Sequence, residues 1–380
     1  MKYALICGSL PPTYCGIGQL MPKITRILQN RGHSVVYLTD YEQPEFAPHN
    51  QNILAGIPIT RARLRTPGGW RELYDFIRTQ KPDVTVIQYQ TFARNYLDGF
   101  FPWVAALAYP PTKIISTIHE FETFTQKGRL RQIPAFLGSH KILFADNLQF
   151  QTSLPYTHNL HQKKSEVLCF GHTAKQHLSK FKTKPKTSSA RLELAYHGFI
   201  QPAKGLLPLL EALKDFRTPY HLHILGALEP LLDYGTVTEV RRYQAKIRDF
   251  LTAYPTVAKA VTIYGDTDPS TRSFQKILGQ VELAVFPFRD GLTARRSSFL
   301  NTFLNSNAIV ASSRNRFSES YLEPILDCGT TATQINRFLI KYTELDVAAK
   351  QEIYAKQLTL RKWFLASARE TDIYRQLSEV

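Results

Sequence analysis

Along the chain, short apolar runs alternate with longer stretches whose apolar residues recur at a helical period. Tyr3–Cys7 reads as a buried strand, turn residues run from Gly8 to Gly18, and a helix is expected from about Gln19 to Asn30. On that helix Leu20, Ile24, Ile27 and Leu28 share one face, Lys23, Arg26 and Arg31 fall elsewhere, and Gly32 stands where a C-terminal glycine belongs. Further strands are expected at Ser34–Thr39, Val84–Gln88, Lys113–Ile118 and Lys141–Ala145, with helical material between them. The stretch SKFKTKPKTSSAR, Ser179–Arg191, is polar, basic and without apolar period, and reads as an interdomain linker. Beyond it the alternation restarts, with strands at Leu192–Gly198, His221–Leu225, Val261–Tyr264, Leu283–Phe286 and Ile309–Ser312. Helices are expected at Lys204–Leu213, Glu239–Leu251 and near Ser298–Leu304, and the tail from Asp346 to Leu377 is helical and charged. Such alternation predicts an α/β fold, mostly parallel sheets covered on both faces. The expected architecture is two doubly wound Rossmann-like domains facing a cleft, over 1–181 and 192–345, with a helical tail over 346–380 placed to pack back on the first domain.

Composition narrows the class. The 380 residues are 43% hydrophobic and 21% charged, which excludes a disordered or fibrous chain. Forty-seven basic residues against 31 acidic ones leave a net charge of +16, a field that favours nucleic acid, anionic headgroups or phosphorylated small molecules. No helix-turn-helix, zinc finger or aromatic-basic RNA motif accompanies the charge, so nucleic acid is not an expected partner. Cys7, Cys15, Cys169 and Cys328 are scattered without metal-ligand spacing, and a reducing, cytoplasmic compartment is the simpler expectation. The opening MKYALICGSLPP lacks the apolar region and cleavage site of a signal peptide, and the apolar stretch Phe100–Tyr109 is too short to span a bilayer. Arg61, Arg63, Arg65, Lys163 and Lys164, with the segment GFFPWVAALAYPP, leave two readings open. One is a solvated basic face over a core helix, the simpler of the two; the other is peripheral contact with an anionic membrane at its inner face.

In doubly wound domains ligands sit at the carboxyl ends of the strands, so the loops that follow strands are where chemistry is sought. Gly16 and Gly18 precede a helix and suit either backbone approach to a phosphate or a turn needing positive φ; neither a dinucleotide fingerprint nor a Walker loop is present. His119 closes the strand Lys113–Ile118, where a near-neutral imidazole suits either contact or proton exchange with a hydroxyl or a purely structural hydrogen bond; Glu120 and Glu122 follow it, read either as a second acid/base or, more simply, as solvated carboxylates. Lys204, in YHGFIQPAKGLLPLLEAL, is expected at the entry of an amphipathic helix, where cation and dipole together favour an anion. The segment FPFRDGLTARRSSFLNTFLNSNAIVAS carries Asp290, Gly291, Arg295 and Arg296 before a helix with Ser297 or Ser298 near its cap. Paired arginines oppose a helix dipole unless an anion sits between them, so a diphosphate cradle is the expectation there. Asp266–Thr267–Asp268 has a metal-binding spacing, yet Asp268 or Ser270 reads better as an N-cap of the following helix.

Taken in order, PPTYCGIGQLMPKITRILQNRGHSVVYLT, TIHEFE, SEVLCFGHT, YHGFIQPAKGLLPLLEAL and FPFRDGLTARRSSFLNTFLNSNAIVAS resemble the GT-B glycosyltransferases, and within them the retaining family 4, over residues 1–315. The resemblance implies a nucleotide-sugar donor held mainly by the second domain and a carbohydrate, lipid-linked or small-molecule hydroxyl acceptor on the first. By position it implies Gly16 and Gly18 at the donor diphosphate, His119 at the donor sugar, Lys204 at the diphosphate, and Asp290 and Gly291 at sugar hydroxyls. His119, Lys204 and Asp290 are thereby the candidate catalytic residues. Phe199 stands where many members carry Arg, with Arg295 or Arg296 as the expected substitute, and Ser298 and Thr302 fall where the family's paired glutamate is sought. The implied activity is hexosyl transfer with retention, by a front-face route, without cofactor or essential metal. The alternative is a catalytically silent glycosyltransferase-like partner subunit.

Overall fold

A computed structural model of the chain describes residues 1–8, 10, 20–40, 53–54, 56–64, 66, 68–89, 98–119, 121, 125–167, 191–226, 237–265, 271–293, 296–315, 318–367 and 370–379. The structure divides into two units, Met1–Gly171 with Ala368–Val380, and His172–Ser367. The expected loop Gly16–Gly18, the linker Ser179–Arg191 except its last residue, the Asp266–Asp268 spacing, Cys15, Arg65, Glu120, Glu122, Cys169 and Arg295 lie outside the described residues.

The first unit runs β1 (Lys2–Cys7), α1 (Met21–Gln29), β2 (Ser34–Asp40), β3 (Ile53–Leu54), β4 (Ile57–Ala62), α2 (Gly69–Gln80) and β5 (Val84–Tyr89). It continues with α3 (Phe101–Ala108), β6 (Lys113–Ile118), α4 (Gln126–Gly138), β7 (Lys141–Phe144), α5 (Asn147–Ser153) and β8 (Ser165–Val167). The sheet order is β3-β4-β2-β1-β5-β6-β7-β8, parallel throughout except for the antiparallel edge pair β3–β4. Val, Ile and Leu fill its central strands because both faces are covered. One face packs on α1 through Met21, Ile24, Ile27 and Leu28; the other packs on α2, α3 and α4 through Leu73, Ile77, Phe101, Ala135 and Phe136. The helix α1 stops as its sequence dictates: Gly32 takes φ 76° and His33 N–H returns to the Leu28 carbonyl at 3.1 Å.

The second unit holds β9 (Leu192–His197), α6 (Leu206–Lys214), β10 (Tyr220–Leu225), α7 (Val237–Ala253), α8 (Pro255–Lys259), β11 (Val261–Ile263) and α9 (Arg272–Leu278). After these come β12 (Leu283–Phe286), α10 (Ser297–Asn305), β13 (Ile309–Ser312), β14 (Leu326–Asp327), α11 (Ala332–Glu344) and α12 (Val347–Ser367). Its six strands lie in the order β11-β10-β9-β12-β13-β14, with neighbouring strands parallel. The order reverses between β9 and β12, which is where a doubly wound sheet opens a crevice for ligand. A final helix, α13 (Glu370–Ser378), belongs to the first unit, where Ile373 and Leu377 join the core beside α1.

The C-terminal stretch, read from sequence as one tail over 346–380, is therefore split between the units. Tyr354, Gln357, Leu360, Arg361 and Phe364 of α12 are buried in the second unit, so that helix is part of its body. Two local expectations also change. Lys204 does not open α6: it ends a short 3-10 turn, Pro202–Lys204, because Gly205 takes φ 74° and breaks the run before Leu206. The N-cap of α9 is Thr271, whose hydroxyl accepts from Phe274 N–H at 3.3 Å, and not Asp268 or Ser270.

Candidate functional site

The crevice of the second unit is built from the segments that follow β9 and β12. After β9, Gly198 turns with φ 135° and leads through Phe199, which is partly exposed, to the turn holding Lys204. Gly205 has no alternative there. A Cβ on it would stand 2.0 Å from the Pro287 carbonyl oxygen, so the Lys204 turn lies against the end of β12 only because residue 205 lacks a side chain. A hydrogen bond from Arg289 N–H to the Ala203 carbonyl, 3.0 Å, ties the two loops together.

Phe288 is the hub of the arrangement. Its ring is fully buried, the Lys204 ammonium lies 4.9 Å from its centroid, and the Arg296 guanidinium carbon lies 5.1 Å from it. Two cations drawn from opposite sides of the crevice thus meet at one aromatic ring. Asp290, whose side chain is largely exposed, places its carboxylate 3.5 Å from Arg296. The Gly291 amide, expected to face a sugar hydroxyl, is instead engaged inside the turn, donating to the Phe288 carbonyl at 2.9 Å. That turn is held from outside by Asn315, whose side-chain amide donates to the Asp290 carbonyl.

Arg296 is the N-cap of α10, and its side chain does not cap that helix. The N–H groups of its first turn therefore point out of the helix without an intrahelical acceptor. Ser298, in that turn, is buried, and among the described residues its Oγ has no hydrogen-bond partner. It borders Gly198, where a Cβ would come within 3.1 Å of it. A buried hydroxyl left without a partner costs about 1–3 kcal/mol, which a bound acceptor would offset. The start of α6 differs. Its Leu207 N–H already donates to Tyr243 Oη at 2.8 Å, so that first-turn donor is answered by the protein. Among the described residues of this crevice, the start of α10 lies beside the two cations Lys204 and Arg296.

Beneath Ser298 lies His197, the last residue of β9. Its Nδ1–H donates to the Ser298 carbonyl at 3.1 Å and lies 3.0 Å from Thr302 Oγ1. Burial, with the Lys204 charge adding, lowers its pKa to about 4 against the opposing pull of the Ser298 carbonyl, so the ring is neutral and acts as a strut. Sequence reading passed over His197, Phe288, Tyr243 and Asn315. For His197 the signal was available, since it ends a strand as His119 does; for the others nothing in the sequence marks the partner.

In the first unit His119 follows β6 and is buried. Its Nε2–H donates to Gln88 Oε1 at 2.7 Å, and its backbone N–H donates to the Tyr89 carbonyl at 3.2 Å, which fixes the ring at the carboxyl edge of that sheet. Among the described residues no group of three His, Cys, Asp or Glu side chains stands close enough to hold a metal ion.

No family model matches the chain, and no curated protein matches it. Solved structures do. A lipopolysaccharide outer core galactosyltransferase, WaaB in its apo form, is 12% identical, with each chain covered in full and a TM-score of 0.66. HepE of Anabaena in complex with UDP and glucose is also 12% identical, again with full coverage of both, at a TM-score of 0.69. Sucrose-phosphate synthase from Thermosynechococcus elongatus is 14% identical over 100% of this chain and 97% of its own, at 0.69. The two parallel-sheet α/β units described above are the GT-B fold of these glycosyltransferases.

Proposed function

We propose that this chain is a retaining glycosyltransferase that moves a hexose from a nucleoside-diphosphate sugar to a hydroxyl acceptor, a glycan, a lipid-linked sugar or a small molecule. The observation that carries the reading is the convergence of Lys204 and Arg296 on Phe288 beside the start of α10 and the Ser298 hydroxyl, unpartnered among the described residues. Such a set suits a group whose negative charge grows during reaction, as it does on a departing diphosphate. The bound UDP and glucose of HepE, a protein of the same fold, support a nucleotide-sugar donor.

In this reading the chain's own groups do the following. Lys204, Arg296 and the first-turn amides of α10 hold the diphosphate and stabilise it as the anomeric bond breaks. Ser298 donates to a phosphate oxygen. Asp290 accepts from a sugar hydroxyl while keeping Arg296 oriented, and His119, fixed by Gln88, is assigned to a hydroxyl of the donor sugar. Phe199 offers an aromatic face where an arginine is common in the resembled family, with Arg296 supplying the charge. Neutralisation by side-chain cations and helix amides leaves no step that needs a divalent cation, so transfer is expected to persist in EDTA.

The test is a thermal-shift panel of UDP, GDP, ADP and dTDP with their common sugars, followed by donor hydrolysis and transfer assays on the responding nucleotide. A ligand at 100 times its Kd stabilises the native state by about 2.7 kcal/mol, so a working site gives a clear rise in Tm. Lys204→Ala should keep the apo Tm, lose the shift, and lower turnover by about 10²–10³-fold, the usual cost of removing one donor to a developing oxyanion. Turnover in that variant at the wild-type rate sinks the assignment. Binding without hydrolysis or transfer points to the silent partner subunit.

A further inference from the structure

The segment Phe100–Tyr109, ambiguous in sequence, forms a helix that is only half buried. On α3 the residues Phe101, Pro102, Val104 and Ala105 enter the core, whereas Trp103 is 46% exposed, Leu107 74% and the preceding Phe100 41%. Phe100, Trp103 and Leu107 recur at three- and four-residue spacing, so they share the outer face. The neighbouring helix α4 repeats the pattern, with Leu130 55% exposed and Leu137 50%, two turns apart on its own outer side. Trp103 joins the two helices: its indole N–H donates to the Pro134 carbonyl at 2.9 Å, and its ring lies over Gly138, where a Cβ would come within 2.7 Å of Nε1. Exposed large apolar side chains on two helices joined through Trp103 are not an ordinary scatter of exposed leucines.

Its surroundings are positive. Between Thr125 and Val167 six Lys or Arg residues stand against two acidic ones. Of these two, Asp146 is buried, and Glu166 is paired with Lys141 at 2.9 Å and Arg375 at 3.5 Å. At the C-terminal end of α4 the Lys164 ammonium donates to the Ser139 carbonyl at 2.6 Å and the Leu137 carbonyl at 3.3 Å, and Lys163 beside it is exposed. Lys113 and Lys164 are near enough to His140 to add to burial in lowering its pKa, so two ammonium groups gather at this end beside an imidazole held towards its neutral form. On the α2 side, Asp75 is offset by Arg71 at 3.9 Å.

We propose that the α3–α4 face of the first unit docks on an anionic bilayer surface, Trp103, Leu107, Leu130 and Leu137 entering the headgroup boundary while the exposed Lys113 and Lys163 meet the phosphates. Apolar groups with a basic rim fit that environment, since Lys near an anionic leaflet is attracted to it and the aromatic ring sits at headgroup level. The contact is peripheral. The eight residues of α3 extend about 12 Å, far less than a bilayer core, and no helix among the described residues is long and apolar enough to cross a membrane. The inference does not depend on the transferase reading, because it concerns a different face and needs no donor.

The experiment is sedimentation of the whole chain with vesicles of phosphatidylcholine and phosphatidylserine, 70:30, and of phosphatidylcholine alone, at low and high salt. The expected result is binding to the mixed vesicles at low salt, falling about tenfold or more at high salt, with little binding to the neutral ones. Leu107→Ser/Leu137→Ser should weaken binding about tenfold with an unchanged thermal melt, and Lys163→Glu should weaken it while also reducing the salt dependence. Equal binding by wild type and the leucine variant overturns the proposal, as does no binding at low salt. A concentration-dependent dimer that the leucine variant abolishes, without vesicle binding, also overturns it and assigns the face to a second copy of the chain.

Discussion

The His197 imidazole is closed in by Phe274, ring centroids 4.9 Å apart, and by the start of α10, and burial keeps it uncharged with a pKa of about 4. In the unfolded chain the same ring takes its proton near pH 6.5. Because the folded value is depressed, the unfolded state binds more protons below pH 6.5, and the stabilisation present above that value is lost as pH falls towards 4, in total by about 3 kcal/mol. His161 in the first unit is lowered to about 4 by burial, with Lys164 adding, and acts in the same direction. Tm should therefore drop from pH 7 to pH 5, and His197→Gln, which can still donate to the Ser298 carbonyl, should show a smaller drop. An identical pH profile in the variant would remove His197 from this account. At this scale Lys204, Asp290 and Arg296 were legible, because a charged residue after a strand carries its own signal. Phe288 was not, because an aromatic beside a strand reads as core until two cations are seen against it.

Among elements, α12 decides how firmly α10 is held. Arg361 is fully buried and donates from Nε to the Phe303 carbonyl at 2.7 Å and from its other arm to the Ala308 carbonyl, with its guanidinium 4.5 Å from the Phe303 centroid. One arginine thus answers carbonyls at the C-terminal end of α10 and before β13, where the helix end is negative. Gln357 adds a reciprocal pair, accepting from Val310 N–H at 2.9 Å and donating to the Val310 carbonyl at 2.8 Å. Burial pulls the Arg361 pKa down to about 10, which leaves it charged at neutral pH. Arg361→Leu strands two buried carbonyls and should cost about 2–4 kcal/mol in a denaturant titration. It should also weaken nucleotide binding, since the other end of α10 carries Arg296 and Ser298. A stability loss with unchanged nucleotide affinity would show that α10 is positioned by its core face alone. The sequence reading had this helix as a charged tail because Lys and Glu on its outer turns mask a buried stripe of Tyr354, Gln357, Arg361 and Phe364.

For the whole molecule the C-terminal stretch is the unexpected feature, with α12 belonging to the second unit and α13 to the first. The anchoring of α13 is specific. Ile373 and Leu377 enter the core beside α1, Tyr374 Oη lies 3.0 Å from His33 Nε2 with the two rings stacked, and Gln376 donates to the Val167 carbonyl at 2.9 Å. Deleting residues 368–380 should accordingly lower the unfolding transition of the first unit and leave that of the second in place; Ile373→Ala alone should cost about 2–4 kcal/mol. Hydrogen exchange resolved by segment reads both, and equal loss of protection in the two units would contradict the division.

Ten strand positions, the parallel α/β class and the two-domain plan followed from sequence, because buried parallel strands are continuous Val, Ile and Leu runs and α/β alternation has few arrangements; β3, β4, β8 and β14, short or only partly buried, carry no such run. Lys113–Ile118, Leu283–Phe286 and Ile309–Ser312 agree to the residue. The residue types suited to a phosphate were legible too, since charge and loop position are local properties. Tertiary structure decided which of them meet. It brought Lys204 and Arg296 to one ring, placed Tyr243 on the start of α6, and left Trp103 and the α4 leucines outside the core. Each of these depends on a neighbour tens of residues away, and a neighbour at that distance is set by packing, which no local period or spacing encodes.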